Sequence, residues 1–364
     1  MTPPMFKSKT PTRVSLGNIA LAAASLLVCL VILELVAAAI ETKSFYRWED
    51  RLMFFSGGKV FENFEGGFKY TPNSQIGPET YYINADDRSK LDLEFKYTIF
   101  TNNLGLVQTT DTVPDKPAIL ILGDSYLEGQ GASPWFYRLE AGVAEAQSAY
   151  QLLNGGILGT GIEQFKNLYD HLKGKVPIEK IVIIFISNDW IRPVWQMPPS
   201  TLECLANWQM CKGDEDFYGL PEAEDAKNIQ IRKIADYRLS APKTLKQRLR
   251  PFALVRFVWN ATSAILHGDQ VARNKAAAAD LVKTFGHDNT LFIHLPQKDE
   301  LLTGISPLGV KMQEYLRSEN YRLVNGFQQC KLGIDDFHPN DGHPTAAGYD
   351  KVRICVETAI NTML

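Results

Sequence analysis

The spacing of apolar positions changes character several times along the chain. Residues 19–40 are almost continuously apolar, with Glu34 the one charged residue among them, and crossing a bilayer takes about 20 such residues. Residues 41–116 keep no sustained period. Gly57-Gly58, Gly66-Gly67 and Thr71-Pro72-Asn73 read as turns, and Leu93 to Phe100 alternates as a strand should. From Lys116 onward, short apolar runs are separated by helix-length segments. Ala118 to Leu122, Tyr150 to Leu153, Lys180 to Ile186 and Leu291 to Leu295 read as buried strands. Ser133-Pro134 supplies an N-cap and a first-turn proline for a helix through Gln147; Gly161 to Leu172 and Thr345 to Met363 read as further helices.

Strands alternating with helices predict an α/β fold, a parallel sheet covered on both faces in three layers. The rhythm lapses between Trp190 and Phe285, a stretch containing Pro193, Pro198, Pro199, an acidic patch (Asp214 to Asp225) and a basic stretch (Lys243 to Arg256). It is too long for a loop and reads as an insertion with helices of its own. The expected division is a tail (1–18), an apolar segment (19–40), an accessory region (41–116), an α/β domain built from 117–190 and 285–364, and an insertion (191–284).

The formal net charge of -3 is close to neutral. No zinc-finger or glycine-rich phosphate motif is present, so nucleic acid is not an expected partner. Lys7, Lys9 and Arg13 precede the apolar run, which places the N-terminus in the cytoplasm and the bulk of the chain in the periplasm or outside the cell. Ala37-Ala38-Ala39 would suit signal cleavage, but the run exceeds a usual h-region of about 7–15 residues, so a retained anchor is expected. Beyond Cys29 the cysteines are Cys204, Cys211, Cys330 and Cys355, an even number that suits an oxidising compartment. Their pairing stays open: Cys204 with Cys211, Cys330 with Cys355, or four free thiols.

Chemistry concentrates in two places. Gly123-Asp124-Ser125 falls where the first strand should end, and open α/β sheets bind ligands beyond the carboxyl ends of their strands. A serine nucleophile there needs a base, an acid and oxyanion donors. His171, His267, His287 and His294 have no acid in a suggestive setting, whereas residues 335–344 crowd His338 and His343 together with Asp335, Asp336 and Asp341. A carboxylate beside a histidine fixes its tautomer and stabilises the imidazolium during proton transfer.

With these residues in place the chain resembles the GDSL, or SGNH, hydrolase superfamily, over roughly residues 117–190 and 285–364. Gly123-Asp124-Ser125-Tyr126 resembles the first block of that family, and Asn154-Gly155-Gly156-Ile157-Leu158-Gly159 the second. Ile186-Ser187-Asn188-Asp189 resembles the third, with serine where glycine is usual, and His343-Pro344-Thr345-Ala346-Ala347-Gly348-Tyr349 the last. Asn102-Asn103-Leu104-Gly105 resembles an Asn-x-x-Gly segment found in anchored, exported members. The resemblance implies a flavodoxin-like three-layer sheet and acyl-ester hydrolysis or acyl transfer without metal or cofactor. It makes Ser125 the nucleophile and His343 the base. The oxyanion donors it implies are the amides of Ser125 and Gly159 and the side chain of Asn188. The family's acid often stands three residues before the histidine, where this chain has Asn340, so Asp341 is the expected substitute. His338 with Asp335 is the rival pair, but it lacks the following glycine that His343 has in Gly348.

The expected substrate is an acyl ester, favoured as acetyl, on exported carbohydrate or lipid. An acyltransferase using the same triad and a non-catalytic binding module are the alternatives. Trp190, Trp195, Trp208, Phe217 and Tyr218 follow the third block and read as the insertion's own core, or as the lining of a substrate pocket. The basic stretch interleaves Leu245, Leu249, Phe252, Leu254 and Phe257 and reads as an amphipathic helix, packed on the domain or on anionic headgroups. Asn260-Ala261-Thr262 fits a glycosylation acceptor.

Overall fold

The structure is a computed structural model that describes residues 16–40, 48–145, 148–242, 252–255 and 267–363. Lys7, Lys9, Arg13, most of the basic stretch, Asn260-Ala261-Thr262 and the expected helix end at Gln147 lie outside the described residues. The chain divides into two units, Met1–Lys43 with Pro242–Ile265, and Ser44–Ala241 with Leu266–Leu364.

In the first unit, Leu16–Ile40 forms α1. The Glu34 carboxylate accepts the backbone N–H groups of Ala253 and Leu254 at 2.7 and 2.9 Å, so this lone acid of the apolar run has donors within its own unit. Among the described residues no helix is long and apolar enough to cross a membrane; side chains at both ends of α1 lie outside them.

The second unit begins with β1 (Arg51–Ser56), β2 (Phe61–Phe64), β3 (Gly67–Tyr70), β4 (Gln75–Ile83), β5 (Leu91–Lys96) and β6 (Ile99–Phe100). It continues with β7 (Ala118–Gly123), α2 (Ser125–Glu128), α3 (Phe136–Glu145), β8 (Gln151–Gly156), α4 (Ile162–Leu172) and β9 (Ile178–Phe185). Then come α5 (Pro199–Ala206), β10 (Tyr218–Gly219), α6 (Glu224–Ser240), α7 (Gly268–Phe285) and β11 (Thr290–His294). The last elements are α8 (Lys298–Thr303), α9 (Pro307–Ser318), β12 (Arg322–Asn325), α10 (Gly326–Gln329) and α11 (Ala346–Asn361).

The central sheet runs β12-β11-β9-β7-β8, with every neighbouring pair parallel. Counted along the chain, this is the 2-1-3-4-5 order of flavodoxin-like sheets, which reverses direction between the first and third strands. Strand alternation sends Leu120, Leu122, Ile181, Ile183 and Phe292 to one face, where they meet α4 and α7 through Phe165, Leu168, Leu281 and Val282. Ile119, Ile121, Val182, Ile184 and Ile293 go to the other, against Phe136 and Leu139 of α3 and Val352 and Val356 of α11. Both faces are therefore covered, which is why the sequence shows continuous apolar runs rather than polar alternation.

Residues 41–116 are not merely irregular. Their described part, 48–116, builds most of a second sheet, β1-β4-β5 with β6 on β4 and β10 of the insertion on β1, and a separate β2–β3 hairpin. Phe55, Phe61, Phe68 and Tyr70 share the core of the first face of the central sheet, so this region is packed onto the α/β domain. The expected strand Leu93 to Phe100 is two strands: it breaks at Tyr97 and Thr98, and the Tyr97 hydroxyl reaches Glu128 at 3.0 Å. The helix expected from Ser133 starts at Phe136, because Trp135 is held in the preceding turn by donating Nε1–H to the Tyr126 carbonyl at 2.9 Å.

Among the described residues the insertion holds α5 and α6. Its Tyr218 and Gly219 add a strand parallel to β1. Its last stretch, α7, places Ala277, Ala278 and Leu281 in the central core and serves as the covering helix that leads into β11. Both cysteine pairs are bonded, Cys204–Cys211 in the insertion and Cys330–Cys355 between the end of α10 and α11.

Candidate active site

The carboxyl end of β7 delivers Ser125. Asp124 caps α2 by accepting the Tyr126 N–H at 2.9 Å, so Ser125 occupies the first helical position, with its N–H among those a helix leaves unpaired. Tyr126 donates its hydroxyl to the Gly342 carbonyl at 2.7 Å, which joins this turn to the loop carrying His343. That loop is pinched shut by the bridge between Phe337 and Pro344 and by the His338 N–H on the His343 carbonyl at 3.1 Å. Thr345 then caps α11 by accepting the Gly348 N–H. A side chain at 348 would stand 2.4 Å from the Asp336 carbonyl, which accounts for the glycine.

His343 Nε2 lies 2.8 Å from Ser125 Oγ, and its Nδ1 forms a short hydrogen bond with Asp341 Oδ1. Asp341 also accepts the His343 backbone N–H at 3.1 Å. Its other oxygen accepts the Tyr82 hydroxyl at 2.8 Å and lies 3.0 Å from Arg51 Nε. Burial works to raise the pKa of Asp341. Arg51, then His343 and the hydrogen bonds from His343 and Tyr82, outweigh it and hold the carboxyl well below its ordinary range. Ser125 and His343 retain 5% and 6% of their surface.

His338 takes no part in this relay. Its Nε2 meets the Gly131 carbonyl at 2.8 Å and its ring packs on Phe95. Asp335 stands in the short turn Ile334–Asp336, and Asn340 is bound instead by Glu94 of β5, at 2.7 Å from the backbone N–H and 2.8 Å from Nδ2.

Asn188 sits in the 3-10 turn Ser187–Trp190 that closes β9. It is exposed, and its side chain bonds to no described residue. Gly159 follows β8 with φ +71, a left-handed conformation that favours glycine. The Trp195 indole lies over it, donating Nε1–H to the Gly159 carbonyl at 3.1 Å; a Cβ at 159 would come within 3.3 Å of that ring. Of the aromatic residues after the third block, Trp195 thus borders the site, whereas Trp190 is fully buried in the central core. Phe217 shares that core, Tyr218 packs in the insertion's cluster, and Trp208 opens a 3-10 turn in the insertion.

Two buried networks were not legible beforehand. Arg192 Nη1 reaches Asp124 at 2.8 Å, Asp189 at 2.6 Å and the Thr160 carbonyl at 3.1 Å, tying the ends of β7, β8 and β9 to one cation. A lone arginine just after two acidic strand ends was its only signal. Ser187, read as a replacement for glycine, donates to Glu300 at 2.6 Å and meets His294 Nε2 at 3.0 Å. Burial, then Arg317, pushes His294 down to about 3. With Ser187 and His294 almost wholly buried, this second serine–histidine pair supports the third block from inside. Among the described residues no cluster of His, Cys, Asp and Glu is arranged to hold a metal ion.

No family model and no curated protein matches the chain. Solved structures to which it is similar include a lipase/acylhydrolase from Enterococcus faecalis, 14% identical, covering 67% of this chain and 95% of that one, TM-score 0.37. Others are a GDSL-like lipase from Bacteroides thetaiotaomicron VPI-5482 (15%, 68% and 89%, TM-score 0.33) and a psychrotrophic esterase from Pseudoalteromonas sp. (14%, 67% and 98%, TM-score 0.31). Likenesses this distant fix no activity, which rests on the chain's own residues.

Proposed function

We propose that the chain is a serine hydrolase that cleaves acyl esters, with Ser125 as nucleophile, His343 as base and Asp341 as the acid that orients it. The observation that supports this is the unbroken relay from Asp341 through the imidazole to Ser125 Oγ, 2.8 Å from His343 Nε2. Oγ attacks the ester carbonyl as its proton passes to Nε2, and Asp341 stabilises the imidazolium. The negative oxygen that forms is held by the N–H groups of Ser125 and Gly159 and by the Asn188 amide, donors that serve the transition state more than the ground state. Collapse expels the alcohol, which takes the proton from His343. Water, activated by the same imidazole, then cleaves the acyl-enzyme and releases the acid.

The limited exposure of Ser125 favours a small acyl group, with acetyl on exported carbohydrate or lipid as the leading substrate. The outward-facing, membrane-tethered placement belongs to the same proposal and rests on the apolar run 19–40 behind Lys7, Lys9 and Arg13. Hydrolysis of p-nitrophenyl acetate and acetylated glycans by the chain, beside Ser125→Ala, tests the chemistry. Acyl transfer to an added oligosaccharide at the expense of hydrolysis would identify a transferase. No turnover together with no labelling by a fluorophosphonate would leave a binding module. Protease added to intact cells tests the placement: full protection of residues 42–364 would reverse it.

A further inference from the structure

The acid of the relay is held from outside the α/β domain. Arg51 on β1 and Tyr82 on β4 stand directly opposite one another across the antiparallel pair, so their side chains leave the accessory sheet on the same face. Both converge on Asp341 Oδ2, the oxygen that His343 does not use. Next to them β5 supplies Glu94, which fixes Asn340 through two hydrogen bonds, and Phe95, which packs on His338. On the opposite side, Lys298 of α8 holds the carbonyls of His338 and Pro339. Of the charged and titratable groups facing Asp341, Arg51, Lys298, His338 and His343 are or can become cationic, Glu94 is acidic, and Tyr82 donates a hydrogen bond.

A carboxylate that is 1% exposed and whose second oxygen had no donor would bear a large desolvation cost and could rotate away from His343. We infer that the accessory sheet is part of the catalytic apparatus, with Arg51 and Tyr82 as positioning residues that hold the Asp341 carboxylate ionised and aimed at His343. This rests on the serine-hydrolase reading of Ser125. It gives residues 48–116 a role other than spacing: without that sheet the α/β domain retains Ser125, His343 and Asp341, but not the Tyr82 hydrogen bond and the Arg51 ion pair that satisfy the acid.

The experiment compares the 364-residue chain with Tyr82→Phe, Arg51→Met and Arg51→Lys. It measures thermal melts, kcat and KM on p-nitrophenyl acetate across pH, and the rate of Ser125 labelling by a fluorophosphonate. Tyr82→Phe removes one oxygen and is expected to lower kcat about 10–100-fold with KM nearly unchanged. Arg51→Met is expected to lower kcat and to move the acid limb of the pH–rate profile upward, because an imidazolium beside a carboxylate no longer shared with a cation keeps its proton to higher pH. Arg51→Lys, which retains the charge, should restore part of both. Wild-type kcat and an unmoved acid limb in Tyr82→Phe and in folded Arg51→Met would overturn the inference. If Arg51→Met does not fold, Tyr82→Phe decides. A wild-type chain that neither labels nor turns over sinks the hydrolase reading, and this inference with it. Normal wild-type labelling with unaffected variants sinks the inference alone.

Discussion

Glu128 ends the short helix that begins at Ser125, and its side chain is fully buried. Burial drives its carboxyl up to about 8; the Tyr70 and Tyr97 hydroxyls pull it back and the charge of Asp124 adds to the rise. The unfolded chain should ionise this group near the ordinary value of 4.5. Between those two values the folded state keeps a proton that the unfolded state has released. Stability from Glu128 is therefore fully present below about 4.5 and is lost progressively as pH rises toward 8, at up to about 1.4 kcal/mol per pH unit. From pH 5 to pH 7 the loss amounts to about 3 kcal/mol. Glu128→Gln keeps the shape and a carbonyl for Tyr97 but cannot ionise, so this component vanishes. Any fixed cost of the amide is the same at every pH and cancels from the slope. Urea unfolding of both chains at pH 5, 6, 7 and 8 should show Glu128→Gln gaining on wild type by about 3 kcal/mol across the first three, with the gain levelling beyond pH 8. A stability difference that stays constant from pH 5 to pH 8 at equal m-values would refute the reasoning, since a carboxyl that titrates alike in both states contributes no slope.

Asn188→Ala should lower turnover about 10²–10³-fold, as loss of one oxyanion donor does, while melting with wild type; near wild-type kcat would remove Asn188 from the proposed oxyanion hole. Arg192→Leu should destabilise the fold by about 3–5 kcal/mol, because Asp124 and Asp189 would remain buried without their cation; a denaturation midpoint equal to wild type would show that the arginine is dispensable. Cys330→Ser with Cys355→Ser opens a loop of sequence separation 25 and should cost about 3 kcal/mol on a chain-entropy argument, read from unfolding under non-reducing conditions. Gly159→Ala should lose activity through its φ of +71 and the nearby Trp195 ring; an unchanged kcat would mean that the loop can shift at no cost to the site.

The sequence alone determined whatever depends on neighbours along the chain. The continuous burial of β7 follows from a run such as Ala118 to Leu122, in which every position must be apolar because both faces of the sheet are covered. Ser125 at a strand end, a capped closing helix and the choice of His343 over His338 could likewise be read locally. Gly348 is needed where α11 starts against the Asp336 carbonyl, and only His343 stands at the matching distance before it. Where the reading failed, the deciding contacts join distant parts of the chain. Arg51 and Tyr82 meet Asp341 across hundreds of residues. The half-buried edge strand β12 has no apolar run of its own, and β10 is too short to leave a period. Strand pairing and buried ion networks are set by which surfaces the folded chain brings together, and no local spacing encodes that. Thus the sequence alone brought Ser125 and His343 forward as candidates, and tertiary structure decided that a second sheet, built from the stretch with the least pattern, holds Asp341 through Arg51 and Tyr82.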